Sequence, residues 1–533
     1  MKQTINLKSN LFVLALTVLL ISPLISRSQT LSLAMEAYEN LQFDLALKSF
    51  SKVWKKNKSD NEINYMYGKC ILRANTNRKE AKKYLEIVIG NDINYKDANF
   101  ELGKAYMYNQ EFDKARQVLN FFLKNYNFED DDNDADTDDK DIKKLSKKQK
   151  AELLLKQIKT AEVLLKTPLN ISFHNLGKNV NSKRSEYNPF VTQDGQTIYY
   201  TSNKKYDGDL LELINNTYFV KFTPDDEKSW SKMKSIGKEV NSSENEIIVG
   251  LSKDENKIII NVNWMQDQGD IFITDKGKKR FQELSELEKT VNSKYNESSA
   301  SLSKGNDTLY FCSNKPGGYG GEDIYMSIKL PDGTWGKPLN LGSEINTEYD
   351  ETYPNINIMG DQLQFASNRP ESMGGFDIFS ADRKQKKWTN IKNLGYPINN
   401  FYDNYLISYS KSRRYAYMAQ VRQEGYGGTD IYQLIFNDIP AQNIIYTGTI
   451  KQGDGQHSRI IKGNVKIEAV SLKTNKLFAK SKYSEKGKYT FAFPPGEFKI
   501  KISGPTIETY ETIIRIPNNE PTQSIIIKNI IVK

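Results

Sequence analysis

The feature that most constrains this chain is a unit of more than fifty residues that recurs through its middle. An Asn preceded by Ile or Val stands at Asn181, Asn241, Asn292, Asn346 and Asn399, spaced 60, 51, 54 and 53 residues apart. Five residues beyond each of them come Glu186, Glu246, Glu297, Glu351 and Asn404. Later in each copy an Asp precedes apolar residues: Asp209, Asp270, Asp323, Asp377 and Asp430. Short β-branched or aromatic runs lie between the anchors, at 197–201, 257–262, 308–312 and 362–366, entered through turn pairs such as Asp194-Gly195 and Gly360-Asp361. A repeat of this length predicts about four strands per copy, which suits the blades of a β-propeller packed side by side. The segment 171–177, ahead of the first copy, resembles the strand that the last copy lacks after Phe436. Pairing the two would zip a ring of five blades; six is the alternative if a degenerate copy is present.

The loops 317–321, 374–375 and 425–428 are rich in Gly. None leads from a strand into a helix and no Gly-Lys-Ser/Thr follows, so they read as inter-strand connections and not as phosphate cradles. The run Phe311-Cys312-Ser313-Asn314-Lys315 through Asp323-Ile324-Tyr325, and the run from Phe365 through Phe379, resemble WD40-like repeats of the TolB type. The repeated Asp and Glu invite comparison with the carboxylate pair of a glycosidase. Carboxylates present in all or most copies are expected to satisfy backbone donors or fix turns. On that ground the chain reads as not an enzyme, with no catalytic, cofactor-binding or metal-binding residue assigned. Tyr319, Phe376 and Tyr426 are taken as matching positions of three successive Gly-rich loops. Glycine neighbours give little cover, so the three rings are expected to be partly exposed and to offer an aromatic patch to a protein partner.

Residues 30–166 carry a second periodicity. Ala34, Gly68 and Gly103 are 34 and 35 residues apart, and Ala46, Ala81 and Ala115 are 35 and 34 apart. Small residues at these points let the two helices of a hairpin approach closely. With Tyr106, Phe112 and Leu119 in the last copy, and Phe43 and Phe50 in the first, the pattern resembles the tetratricopeptide repeat. That resemblance implies a short α-helical superhelix with a concave binding face. The acidic run Asp130 to Asp141 has calcium-loop spacing at Asp130, Asp132 and Asp134, but Ala135 stands where an EF-hand needs Gly, and a solvated loop is expected. A helix from about Lys147 to Lys166 is predicted to cap the array.

After a propeller assigned to 169–440, residues 445–533 alternate in short strands, seven by count, as in a β-sandwich. Ser484-Glu485-Lys486-Gly487-Lys488-Tyr489, followed by Pro494-Pro495-Gly496, resembles the carboxypeptidase regulatory-like, transthyretin-like domain. At the other end Lys2 and Lys8 precede an apolar run from Leu11 to Ile25, and Ser26 and Ser28 offer small residues at a cleavage point. Residues 1–28 therefore read as a signal peptide. The fold class expected is multidomain, α plus all-β.

Composition closes off several functions. The net charge is +9, or +6 once Lys2, Lys8 and Arg27 leave with the signal peptide, too small and too dispersed for nucleic acid. Two His, His174 and His457, exclude multi-His metal sites, and Cys70 and Cys312 have neither metal-ligand spacing nor a disulfide framework. The order helical repeat, propeller and regulatory-like sandwich is similar to the PorE-type periplasmic proteins of the Bacteroidota type IX secretion and gliding machinery. The resemblance implies an exported, periplasmic scaffold peripheral to the outer membrane, with an outer-membrane β-barrel and other periplasmic secretion components as partners. That family usually ends in an OmpA-like domain, which has no counterpart here, so peptidoglycan binding is not expected. The rival reading is a glycan-binding or glycan-cleaving propeller of the cell envelope. The two differ in a geometric sign: a sugar site needs aromatics and carboxylates converging at one mouth of the ring, whereas protein contacts favour aromatics scattered over rim loops.

Overall fold

The computed structural model describes residues 30–40, 42–74, 76–128, 145–207, 212–223, 230–265, 268–454, 457–521 and 524–533. The signal peptide, the acidic run 130–141 and Asp209 lie outside the described residues.

Seven helices come first: α1 (30–39), α2 (Phe43–Trp54), α3 (Asn61–Arg73), α4 (Ala81–Asn91), α5 (Ala98–Tyr108), α6 (Phe112–Asn125) and α7 (Lys147–Leu164). The periodic small residues sit where neighbouring helices touch. A Cβ on Gly68 in α3 would lie 2.8 Å from Leu85 Cγ in α4, and one on Gly103 in α5 would lie 2.7 Å from Leu119 Cγ in α6. Ala46, Ala81 and Ala115 are fully buried. Local signals set the helix ends. Asp60 accepts from the Ile63 N–H at 3.0 Å, and Ser146 with Gln149 forms a capping box at the start of α7.

Next come five four-stranded antiparallel sheets. Four are sequential meanders within 186–235, 245–286, 300–340 and 351–393; the fifth joins the strands of 408–436 to Ile171–Asn175 from before the first sheet. Phe436 pairs with Ile171 and Tyr432 with Asn175. Neighbouring sheets are tied in cyclic order. Asn188 Nδ2 donates to the Ile248 carbonyl, Asn261 Nδ2 to that of Glu297, the Ile356 N–H to Ser301 Oγ, the Asn404 N–H to the Phe376 carbonyl and the Val191 N–H to Ser408 Oγ. The fifth sheet therefore meets the first.

Residues 444–532 form two further sheets facing one core of Tyr446, Ile450, Tyr489, Phe493, Ile500 and Ile516 among others. Nine strands are present among the described residues where seven were expected. Two-residue Arg459–Ile460 is one addition; the other arises because the last apolar run is split into Ile525–Ile527 and Ile530–Val532. The Lys528 carbonyl turns inward at the break, to accept from Tyr489 Oη at 2.9 Å, and Gly448 lets it approach.

The three parts share buried joints. Met373 and Phe401, from the sheet array, belong to the same apolar core as the helices. Gln157 and Thr160 of α7 donate to the carbonyls of Asn368 and Pro370 at 3.1 and 3.0 Å. At the opposite end of the sheets, Asn518–Glu520 of the last region bridge the first and fifth sheets. Asn519 donates to the Gly195 carbonyl at 2.9 Å and accepts from Tyr417 Oη at 2.7 Å, while Glu520 accepts from the hydroxyls of Ser410 and Ser412. No described helix is long and apolar enough to cross a membrane.

Candidate functional site

The repeated residues make recurring hydrogen bonds to the backbone. Every repeated Asn clasps both backbone groups of one residue in the third strand of the preceding sheet. Asn346 Oδ1 accepts from the Ile324 N–H at 2.8 Å and its Nδ2 donates to the Ile324 carbonyl at 2.9 Å. Asn399 does the same with Ile378, Asn292 with Ile271 and Asn241 with Thr217. Asn181 does so with Ile431, 250 residues away in the fifth sheet. The side-chain amide thus continues the ladder where no strand reaches. The repeated Asp closes the Gly-rich loop. Asp323 accepts from the N–H groups of Tyr319 and Gly320, Asp430 from those of Tyr426 and Gly427, and Asp377 from that of Met373. Burial pushes the Asp377 carboxyl up to about 8. Asp270 is only partly buried, and burial raises its pKa too.

These contacts correct the reading of the aromatic trio. Tyr319 and Tyr426 donate their N–H groups to the Asp four residues on, and the residue doing so in the fourth sheet is Met373. Phe376 stands one residue before its Asp and matches Glu322 and Thr429 instead. Tyr319 is 51% exposed and Tyr426 43%, whereas Phe376 is 3% exposed, packed on Tyr405 at 5.1 Å between ring centroids. The three rings do not form one exposed patch. Counting back from the Asp, and not forward from the glycines, would have found the register.

The position before the Asp leads to a cavity of about 920 Å³ between the sheet ends that carry the Gly-rich loops and the helices. Along the chain this position reads Gly208, Gly269, Glu322, Phe376 and Thr429. Glu322 and Asp350 are adjacent on the sheet wall. The Glu322 N–H donates to Asp350 Oδ1 at 2.8 Å, and the Glu322 carboxylate accepts from Asn296 and Ser298, each at 3.1 Å. Asn368 Nδ2 donates to Asp350 at 3.0 Å. Burial, with the neighbouring Glu322 charge, pushes the Asp350 carboxyl up to about 7, and burial raises Glu322 as well. Such a pair can hold a proton near neutral pH, which general acid–base work requires. Beside it Tyr353, Tyr405 and Phe376 form an aromatic row with centroid separations of 5.2 and 5.1 Å.

The helical wall, from α3, α5 and α7, is cationic. Arg73 and Lys104 are paired with buried Glu101 at 3.2 and 3.1 Å. Burial opposes charge on Glu101, yet the two cations hold its carboxyl below the usual range. Arg78 bonds Tyr108 Oη at 2.6 Å and reaches Asp403 at 3.4 Å. Composition and local pattern did not single out any of these groups, because each gains its meaning from a partner on a distant segment.

No protein-family model and no curated protein matches the chain. Among solved structures, the chain is similar to TolB from Acinetobacter baumannii, at 12% identity and a TM-score of 0.32, covering 55% of this chain and 70% of that one. It is similar to a glycoside hydrolase at 11% identity and a TM-score of 0.36, covering 52% and 94%. It is also similar to an endo-arabinase from Bacteroides thetaiotaomicron at 13% identity and a TM-score of 0.32, covering 48% and 97%. The expectation that the chain is not an enzyme is corrected here: several of the solved structures it resembles are enzymes, a sialidase and a peptidase among them. The ground for that expectation also fails in the cavity. Glu322 is a carboxylate in one sheet, where the others carry Gly208, Gly269, Phe376 and Thr429.

Proposed function

We propose that the protein is an exported interaction scaffold of the cell envelope. In this reading residues 1–28 are its signal peptide, 30–166 a tetratricopeptide-type superhelix, 169–440 a five-bladed TolB-type propeller and 445–533 a regulatory-like sandwich. Its partners are an outer-membrane β-barrel and other periplasmic components of a type IX secretion or gliding machine. One observation carries the reading: buried joints at both ends of the sheet array hold helices and sandwich in fixed positions. A rigid frame presents several surfaces at set spacing, and loops on such frames serve recognition. Photo-crosslinking groups placed at Tyr319 and Tyr426 in native cell envelopes test it. Crosslinks to an outer-membrane β-barrel or a periplasmic secretion component support the scaffold; a protein confined to the cytoplasm, or crosslinks only to cytoplasmic proteins, would refute it.

A second reading, a glycan-binding or glycan-cleaving propeller, is favoured by a separate observation. Aromatics and carboxylates converge at one end of the sheets, in Tyr353, Tyr405 and Phe376 with Glu322 and Asp350. Turnover or binding of envelope polysaccharides by the purified protein tests it.

A further inference from the structure

Resting on the glycan reading, we infer that the cavity between the helices and the sheets takes a carboxylated saccharide, with Lys150 receiving its carboxylate. Lys150, on the first turns of α7, lines the cavity and is only 7% exposed. Its ammonium makes no hydrogen bond and no ion pair with any described residue. The other cations of the helical wall are engaged: Arg73 and Lys104 with Glu101, and Arg78 with Asp403. The side chain is largely covered while its Nζ stays accessible along the cavity wall, and a cation there with no counter-charge among the described residues favours an anion in the cavity.

The opposite wall asks for different chemistry. An ionised carboxylate only accepts and a protonated one adds a single O–H donor, so Glu322 and Asp350 favour a ligand rich in hydroxyls, which both donate and accept. Asn296 and Asn368 already bond these carboxylates and orient them. Tyr353 and Tyr405, both only partly buried, offer ring surface to the apolar side of a sugar ring, with buried Phe376 packed on Tyr405. The volume of about 920 Å³ is at the upper end of small-ligand sites, room for more than one ring. An acidic peptide fits less well, because it brings carboxylates without the many hydroxyl donors that Glu322 and Asp350 call for. A neutral sugar would leave Lys150 unpaired. A carboxylate set among many hydroxyls satisfies both walls.

Calorimetric titration of the full chain with trigalacturonate, maltotriose and triglutamate decides the matter. Trigalacturonate is expected to bind in preference to the other two, with the preference shrinking as salt is added. Lys150→Met should reduce trigalacturonate affinity by at least about tenfold, the loss of a charge-assisted contact, and leave maltotriose unaffected. Lys150→Arg should retain the preference, which separates charge from packing if the Met variant melts early. Equal binding of maltotriose would overturn the role of Lys150 while leaving the glycan reading standing. Preference for triglutamate, or binding of none of the three, would overturn the saccharide itself.

Discussion

The two ends of the sheet array follow opposite rules. At the end facing the sandwich, polar groups are spent on one another. Glu520 accepts from Ser410 and Ser412, Asn519 links Tyr417 to Gly195, and Lys253 crosses from the second sheet to Asn355 in the fourth at 2.9 Å. At the end facing the helices, the residue before the repeated Asp is Gly in two copies and Glu322, Phe376 and Thr429 in the others, and a cavity holds carboxylates on one wall and Lys150 on the other. Repetition marks where the chain builds a frame; departure from repetition marks where it can recognise something. The sealed end also lies across the seam between the first and fifth sheets, where a ring assembled from a single chain is closed by only one strand from the N-terminal side.

Four variants break or sharpen this contrast. Phe376→Ala should cost the most, about 3–5 kcal/mol, because a buried ring is removed from between the sheets and Tyr405. Chemical denaturation measures it; a loss below about 1 kcal/mol would mean that the cavity end collapses readily and is no fixed frame. Glu520→Ala should cost about 2–3 kcal/mol, since a charged acceptor of Ser410 and Ser412 is lost at the seam. Hydrogen exchange should rise in 192–196 and 410–415 before it rises in the helices. Uniform acceleration would show that the seam is not a separate weak point.

The third test is pH. Asp350 has a pKa near 7 folded against an ordinary 3.8, so between those values the folded chain binds more protons than the unfolded one. Its contribution therefore lowers stability as pH rises from about 4 to 7, and is flat above that. Asp350→Asn removes this titration and should gain on the parent chain, on the order of 1 kcal/mol, between pH 5 and 7.5. Parallel pH profiles for the two proteins would show that the carboxylate is not strained by burial. The smallest effect is expected from the double change of Tyr319 and Tyr426 to Ser. Both rings are exposed, so the unfolding free energy should hold within about 0.5 kcal/mol by chemical denaturation. A larger loss would assign these rings to the frame.

The repeat was legible because each of its anchors works over a distance set by the repeat itself. Asn346 meets Ile324 and Asp323 meets Tyr319 and Gly320, so a spacing of residue types announces a hydrogen-bond pattern. The small residues of the helices were legible for a similar reason, since Gly68 and Leu85 are successive partners in one hairpin. The aromatic trio was misread because a Gly precedes both Tyr319 and Phe376 while only the backbone contact to Asp defines the register. The joints and the cavity could not be read at all. Arg78 and Asp403 are 325 residues apart, and Gln157 and Asn368 are 211 apart.

By itself, then, the sequence determined the local frame: which segments become helices and sheets, and which Asn, Asp and Gly hold them. Only the tertiary structure decided that the helices face the loop end of the sheets and that Glu322, Asp350 and Lys150 line one cavity. The physical reason is that backbone hydrogen bonding and hairpin packing repay short-range order and leave a periodic trace. A site made of side chains from remote segments is ordered by the packing of whole elements, and that leaves no period to find.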